Sequence, residues 1–170
     1  GGGFGRRGYV DFAGEVAAIA VQQPGVPVKL MWSREDDMQH DYYRPTSYHK
    51  LRAAIDAGAN VVGWHHDFVS TSVLSGFGVD LMQAMLPPWV PVKIARGIGQ
   101  SIADFDPAYD VSMGEGTNIP YAIPNRKAGL VHYDAGIPTG FWRSVSHSFN
   151  AFAVEGFVDE LAHAAKKDPV

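Results

Sequence analysis

Ser47–Ser70 reads SYHKLRAAIDAGANVVGWHHDFVS, and this stretch decides the fold class. Two runs in it alternate with period two. Leu51, Ala53 and Ile55 share one face of the first run; Val62, Trp64 and Phe68 share a face of the second. Successive side chains of a strand point to opposite faces, so both runs read as half-buried strands. The segment DAGAN (56–60) between them supplies turn chemistry, and the pair reads as a β-hairpin. A hairpin joins antiparallel neighbours without a crossover helix. The expected class is therefore α+β, with a mixed sheet, a β-hairpin and packed helices.

Working outward toward the N-terminus, DFAGEVAAIAVQQPG (11–25) reads as a helix. Asp11 is its expected N-cap, Phe12, Val16, Ile19 and Ala20 form one face, and Pro24-Gly25 stops it. VPVKLMW (26–32) reads as a mostly buried strand. SREDDMQHDYYRP (33–45) reads as a loop with a short helical turn. Toward the C-terminus, VDLMQAM (79–85) reads as a short helix, and LPPWVP (86–91) blocks regular structure. The prolines of NIPYAIPN (118–125) keep it extended. RKAGLVHYDA (126–135) reads as a strand and GIPTGFWRSVSHS (136–148) as a loop. NAFAVEGFVDELAHAAKK (150–167) is the clearest helix. Val154, Phe157, Val158, Leu161, Ala162 and Ala165 make its stripe, and Pro169 closes it.

Composition narrows the functions. The chain has 170 residues, 46% of them hydrophobic and 19% charged, which is the balance of a globular protein. Its 14 basic and 18 acidic residues give a net charge of −4, and no basic stripe is present, so a general nucleic-acid grip is excluded. With no cysteine, the chain cannot form disulfides, thiolate zinc sites or iron–sulfur clusters on its own side chains. No apolar run approaches the roughly 20 residues of a membrane span. The sequence lacks an initiating Met and is expected to be a fragment of a longer subunit; it does not tell the compartment.

Five features invite chemistry. In GGGFGRRGY (1–9), Gly3, Gly5 and Gly8 satisfy G-x-G-x-x-G. A helix follows, then the run at Val26–Trp32, then Glu35, which is the skeleton of a dinucleotide-binding βαβ unit. The acid lies 27 residues past Gly8 (35 − 8), not about 20, and a hairpin comes next. A plain tight turn, a phosphate or cofactor cradle and a chain tail all remain readings of these glycines. His65 and His66, adjacent in a strand, point to opposite faces, and the seven histidines show no metal-ligand spacing. The acid run Glu35-Asp36-Asp37 reads as a solvated helix start. Ser144, Ser146 and Ser148 flank His147 without a nucleophile elbow. GFWRS (140–144) places two aromatics and an arginine among small residues. They either anchor the loop on a core or wall a flat pocket, with Arg143 forking onto an oxyanion.

Taken together, GGGFGRR, the helix after it, VPVKLMWSREDDMQHDYYRP, the hairpin and GIPTGFWRSVSHSFNAFAVEGFVDELAHAAKKDP resemble the molybdenum-binding subunit of the xanthine dehydrogenase and aldehyde oxidase family, notably its isoquinoline 1-oxidoreductase beta-subunit branch. The resemblance implies that residues 1–170 are part of a molybdopterin-binding domain. It implies a molybdenum ion held by the pterin, in cytosine dinucleotide form, and not by side chains. It implies cofactor contacts from Gly2, Gly3, Phe4, Gly5, Arg6, Trp142 and Arg143, with Phe141 in the substrate pocket. Arg6-Arg7 stand where many relatives have Gly-Lys, and Ser144 stands where the aromatic-Arg-Gly pattern has glycine. The family's base, a glutamate, is expected outside this chain; Glu115 precedes GFWRS and does not match it. Iron–sulfur clusters are implied on a small partner subunit, and the implied reaction hydroxylates a nitrogen heteroaromatic or oxidises an aldehyde with water. A dinucleotide-binding domain and a non-catalytic remnant are the alternatives.

Overall fold

The computed structural model describes residues 3–74, 77, 85–87, 89–103 and 110–169. In chain order its elements are α1 (Asp11–Val21), α2 (Arg34–His40), β1 (Ser47–Ile55), β2 (Val61–Ser70), α3 (Val92–Ala103), β3 (Asn125–His132) and α4 (His147–Ala165), with 3₁₀ turns at Arg6–Gly8 and Val111–Gly114. They fall into two compact units. One comprises Gly1–Arg44, Leu74–Phe105 and Pro138–Arg143; the other comprises Pro45–Val73, Asp106–Ile137 and Ser144–Val170.

The hairpin organises the second unit as its alternation dictates. β1 and β2 pair antiparallel, from Ser47 opposite Ser70 to Ala54 opposite Gly63, with a register shift between Ala54 and Ile55. β3 joins the other edge of β2 in parallel, giving the order β1-β2-β3. One face of β2 presents Trp64, His66, Phe68 and Ser70, all buried. The stripe of α4 packs with that face. Trp64, Val154, Ile119 and Ile123 form the buried cluster, and Phe157, Val158 and Leu161 pack against it. The Trp64 and Phe157 rings meet edge-on at 5.3 Å. Lys166, in the left-handed region, closes α4 while the Lys167 amide donates to the Ala162 carbonyl.

Polar groups tie the irregular 110–117 segment into this unit. The Asp110 carboxylate accepts from Ser72 Oγ (2.6 Å), the Val73 amide (3.1 Å) and the Ser112 amide (3.0 Å). Asn150 Nδ2 donates to the carbonyls of Met113 and Glu115. A second polar chain crosses the core face of the hairpin. His66 Nε2 lies 2.9 Å from His49 Nδ1, and His49 Nε2 lies 3.0 Å from Ser47 Oγ. Burial, and then the neighbouring His49, push the His66 pKa down to about 4, against a smaller upward pull from Asp67. Burial also lowers His49.

The first unit holds α1, α2 and α3. Ser33 caps α2: its Oγ accepts from the Asp36 amide, and the Asp36 carboxylate accepts from the Ser33 amide. Those bonds from Ser33 hold Asp36 below the usual carboxylate range. Glu35, Asp36 and Asp37 occupy the first turn of α2, as a solvated helix start requires.

Several sequence expectations are corrected. Val26–Trp32 is not a strand and is not mostly buried: Val26 is 60% and Met31 74% exposed. Val28, Leu30 and Trp32 are half-buried and the residues between them exposed, so the period-two pattern is present. What is missing is a neighbour, since no strand among the described residues pairs with it and Pro27 has no amide hydrogen to donate. Asp11 is the first residue of α1 and not its cap; Val10 holds that position, and the Asp11 carboxylate is drawn to Arg6. α3 was not expected, because Gly97 and Gly99 lower its helix propensity and the prolines before it read as a breaker. Pro91 instead starts it, its carbonyl accepting from the Ile94 and Ala95 amides. α4 begins at His147, three residues ahead of the expected Asn150. The expected helix at 79–85 lies outside the described residues apart from Met85. No strand flanks α1 among the described residues, so the dinucleotide-binding βαβ unit is not formed there.

Candidate functional site

The glycine turn and the GFWRS loop, more than 130 residues apart in sequence, meet in the first unit. Phe4 (φ 51°) and Gly5 (φ 94°) are both left-handed and swing the chain into the 3₁₀ turn Arg6–Gly8. Gly5 is the residue that permits the encounter. A Cβ on it would overlap the Phe141 carbonyl, so the backbones touch where no side chain fits. Gly140 repeats the device, since a Cβ there would run into Tyr42 and the Tyr9 hydroxyl.

Tyr9 is the buried post between the two loops. It stacks on Tyr42 at 4.1 Å, meets Phe77 edge-on, and accepts through its hydroxyl from the Phe141 amide at 3.2 Å. Phe141 packs edge-on against Phe77. The loop is then strapped to 42–44. Trp142 Nε1 donates to the Tyr42 carbonyl, the Gly140 amide donates to the Tyr43 carbonyl, and the Tyr43 amide donates to the Pro138 carbonyl. Arg44 lies over the Trp142 ring at 5.7 Å.

Arg6 and Arg143 stand in opposite situations. Arg6 forks onto both oxygens of Asp11 at 2.8 Å and pairs through Nε with Asp41 at 2.6 Å. Its guanidinium is committed to bracing the turn. Burial, the largest single influence, would raise the Asp11 pKa, but the Arg6 hydrogen bonds, the backbone amides of Phe12 and Asp11 and the Arg6 charge together outweigh it and hold Asp11 below the usual carboxylate range. Arg143 is exposed, with its guanidinium 5.6 Å over the Phe4 ring. Among the described residues no ion pair or hydrogen bond engages that guanidinium. Nor do the amides of Phe4, Gly5 and Arg6 have acceptors there, although the carbonyls of Gly3, Gly5 and Arg6 all accept within the turn. The site thus presents three unaccepted amides beside a free arginine, a donor set suited to an anionic, oxygen-rich group.

Of the residues the sequence singled out, the structure brings Gly5, Phe4, Phe141 and Arg143 together. Gly3 lies at the start of the same turn, against the Arg7 side chain. Trp142 is half exposed and turned onto Tyr42, while Gly1 and Gly2 lie outside the described residues. Tyr9, Tyr42, Phe77 and Asp41 were missed. The aromatic pair in DYYRP was the available signal, but a lone aromatic reads as ordinary core until its partners are known. Glu115 and His147 face each other at 3.4 Å in the second unit, and Ser148 Oγ donates to the Val145 carbonyl.

Comparison with known proteins identifies the family. The family model of the molybdopterin cofactor-binding domain matches residues 1–86, which include the whole Gly3–Gly8 turn. The chain is 30% identical over 172 residues to the membrane-bound aldehyde dehydrogenase [pyrroloquinoline-quinone] of Gluconacetobacter polyoxogenes, an alignment covering 99% of this chain and 20% of that protein. It is 27% identical over 175 residues to the isoquinoline 1-oxidoreductase subunit beta of Brevundimonas diminuta, covering 100% of this chain and 19% of that protein. The chain therefore spans about a fifth of the length of these relatives. With more than half of its residues matched by the model, and the glycine turn among them, the chain belongs to the molybdopterin cofactor-binding domain family.

Proposed function

We propose that the Gly3–Gly8 turn and the Phe141–Arg143 loop form part of a molybdopterin cradle in an oxidoreductase that hydroxylates nitrogen heteroaromatics or oxidises aldehydes. The observation that carries this reading is the backbone contact of Gly5 with Phe141, which brings the turn, with three amides that have no acceptor among the described residues, to the loop that carries Arg143. The donor set fits the group, because a pterin dinucleotide offers oxygens and phosphates to amide and guanidinium donors. When bound, that group supplies two-electron oxidation with water as the oxygen source. Within the cradle, Gly2, Gly3, Phe4 and Gly5 present backbone to the cofactor, in its cytosine dinucleotide form, and Arg143 forks onto one of its oxygens. Trp142 walls the cofactor side and Phe141 the substrate side. Arg6 acts at one remove, holding the turn through Asp11 and Asp41. No residue of this chain is assigned as the base. A glutamate elsewhere in the enzyme takes that role, and residues 1–170 alone should not turn over. Electrons leave through iron–sulfur clusters on a small partner subunit, in keeping with a chain that has no cysteine.

The test is Gly5→Val in the full-length enzyme expressed with its partner. Valine at a positive φ is strained by roughly 1–3 kcal/mol before the clash with Phe141 is counted. Molybdenum by elemental analysis and pterin by fluorescence should fall well below the parent, with circular dichroism retained. Pyrroloquinoline quinone is measured in the same samples, since one relative's name carries it. Full molybdenum loading in Gly5→Val, or quinone in place of pterin in the parent, removes the reading.

A further inference from the structure

The sheet of the second unit has its Trp64–Ser70 face under α4, and the opposite face, whose β2 residues are half-buried, carries a row of basic side chains. Register explains how. Arg52 of β1 stands opposite His65 of β2, and His65 stands opposite Lys127 of β3, so three basic residues form one cross-strand row. Like charges directly opposite each other destabilise a sheet. One carboxylate shares the neighbourhood: Asp67, in the next row between Lys50 and Gly129. It is already engaged, with its Oδ1 2.9 Å from His65 Nε2. Gly129 leaves it room, since a Cβ there would crowd that same oxygen. Arg126, at the rim, donates to the Ile119 carbonyl. Arg52 and Lys127 are exposed, and among the described residues neither side chain has a hydrogen bond or ion pair.

The floor beside the row is low. On its other side Ala54 stands opposite Gly63, and Gly63 opposite Asn125, so the middle of that row has almost no side chain. The result is a depression of about 460 Å³ lined by Arg52, Ala54, Gly63, His65 and Lys127 among others. The depression is shallow and open, so a small ligand would rest on it and not be enclosed. The α-carbons of Arg52 and Lys127 are two strand spacings, about 10 Å, apart. One tetrahedral oxyanion fits between their side chains, taking a fork of hydrogen bonds from Arg52 and a point charge from Lys127.

We propose that this face is a binding site for a small organic phosphate, its phosphoryl group bridging Arg52 and Lys127 and its flat apolar body lying on Ala54 and Gly63. The site belongs to the second unit and shares no residue with the cofactor cradle. An acidic polypeptide would match the charge but would leave the side-chain-free floor unused.

The experiment uses phenyl phosphate as probe and the full-length enzyme with its partner. Ligand-observed ³¹P NMR at fixed ionic strength should show saturable broadening, with inorganic phosphate binding more weakly than phenyl phosphate. The double variant Arg52→Gln, Lys127→Gln should weaken binding at least about tenfold, the effect expected for losing one charge-assisted hydrogen bond of roughly 1.5 kcal/mol. Its melting temperature, molybdenum content and turnover should match the parent, which separates this site from the cradle. Equal broadening in parent and variant, or none that saturates, overturns the proposal. So does a glutamate-rich decapeptide that binds in an Arg52- and Lys127-dependent way while phenyl phosphate does not, because the face would then be a protein-docking surface.

Discussion

Trp64 and Gly5 occupy comparable positions in the two units, each at the point where separate segments meet, and they work in opposite ways. Trp64 joins β2, α4 and the Ile119–Ile123 segment by filling space, and it is 5% exposed. Gly5 joins two loops by leaving space empty, so that backbone meets backbone. The second unit is held by apolar area, which grows with every methylene buried. The first is held at its site by a steric permission, hydrogen bonds from aromatic handles and a braced arginine, none of which scales with area. A scaffold benefits from the first kind of cohesion. A surface that must offer free amides and a free guanidinium to a ligand needs the second.

The contrast is broken most directly at Trp64. Trp64→Ala should destabilise by about 3–5 kcal/mol, the usual cost of truncating a buried large aromatic. Hydrogen exchange should quicken in the amides of β1, β2 and α4 and stay near parent rates in Arg7, Gly8 and Tyr9. Equal quickening in both sets would mean that the two units unfold as one body.

Acid should sharpen the contrast with a smaller effect. His66, and to a lesser degree His49, are held neutral in the folded state, while their unfolded counterparts protonate near pH 6.5. Below pH 6.5 the unfolded chain therefore binds more protons, and stability falls as pH drops from 6.5 through about 4, then levels off. At about 1.36 kcal/mol per pH unit of displacement, the full loss is on the order of 3 kcal/mol. Urea midpoints at pH 7, 5.5 and 4 measure it, and His66→Phe should flatten most of the slope. A slope unchanged in His66→Phe assigns the acid sensitivity elsewhere.

Arg143 should show the smallest effect on folding. Arg143→Ala should change stability by no more than about 0.5 kcal/mol, as for exposed residues in general. Turnover of the full enzyme should drop about 10- to 100-fold, with Arg143→Lys rescuing in part, because lysine keeps the charge and loses the fork. Parent-like turnover in both variants would make GFWRS an aromatic anchor and nothing more.

The second unit was legible in the sequence because its signals are periodic and local. The alternation around Trp64 and the stripe from Val154 to Ala165 each report one element's face, and each element sits where its pattern puts it. The same logic misled at Val26–Trp32, where the pattern is intact but a strand also needs a neighbour to pair with. α3 carries little local signal because Gly97 and Gly99 lower its helix propensity, while Pro91, a breaker inside helices, serves as a starter at their edge. The candidate site was legible as residue types and not as an assembly. Nothing in the spacing of Gly5 and Phe141 says that they touch, and nothing local distinguishes Arg6, which braces, from Arg143, which is free.

The Ser47–His49–His66 chain carries one more consequence, which concerns direction. Hydrogen bonds along it can run from His66 outward or from Ser47 inward, and the two arrangements use opposite tautomers of both rings. Among the described residues His66 Nδ1 is buried without a partner in either case. Running outward leaves a bare lone pair at that nitrogen; running inward leaves an N–H with nothing to accept it. Buried acceptors are left unpaired more readily than buried donors. The outward arrangement is therefore selected: His66 donates to His49, and His49 donates to Ser47. Three uncharged groups thus form an arrow whose sense is fixed by its one unpaired end, giving this face of the hairpin a permanent polarity that no net charge could reveal.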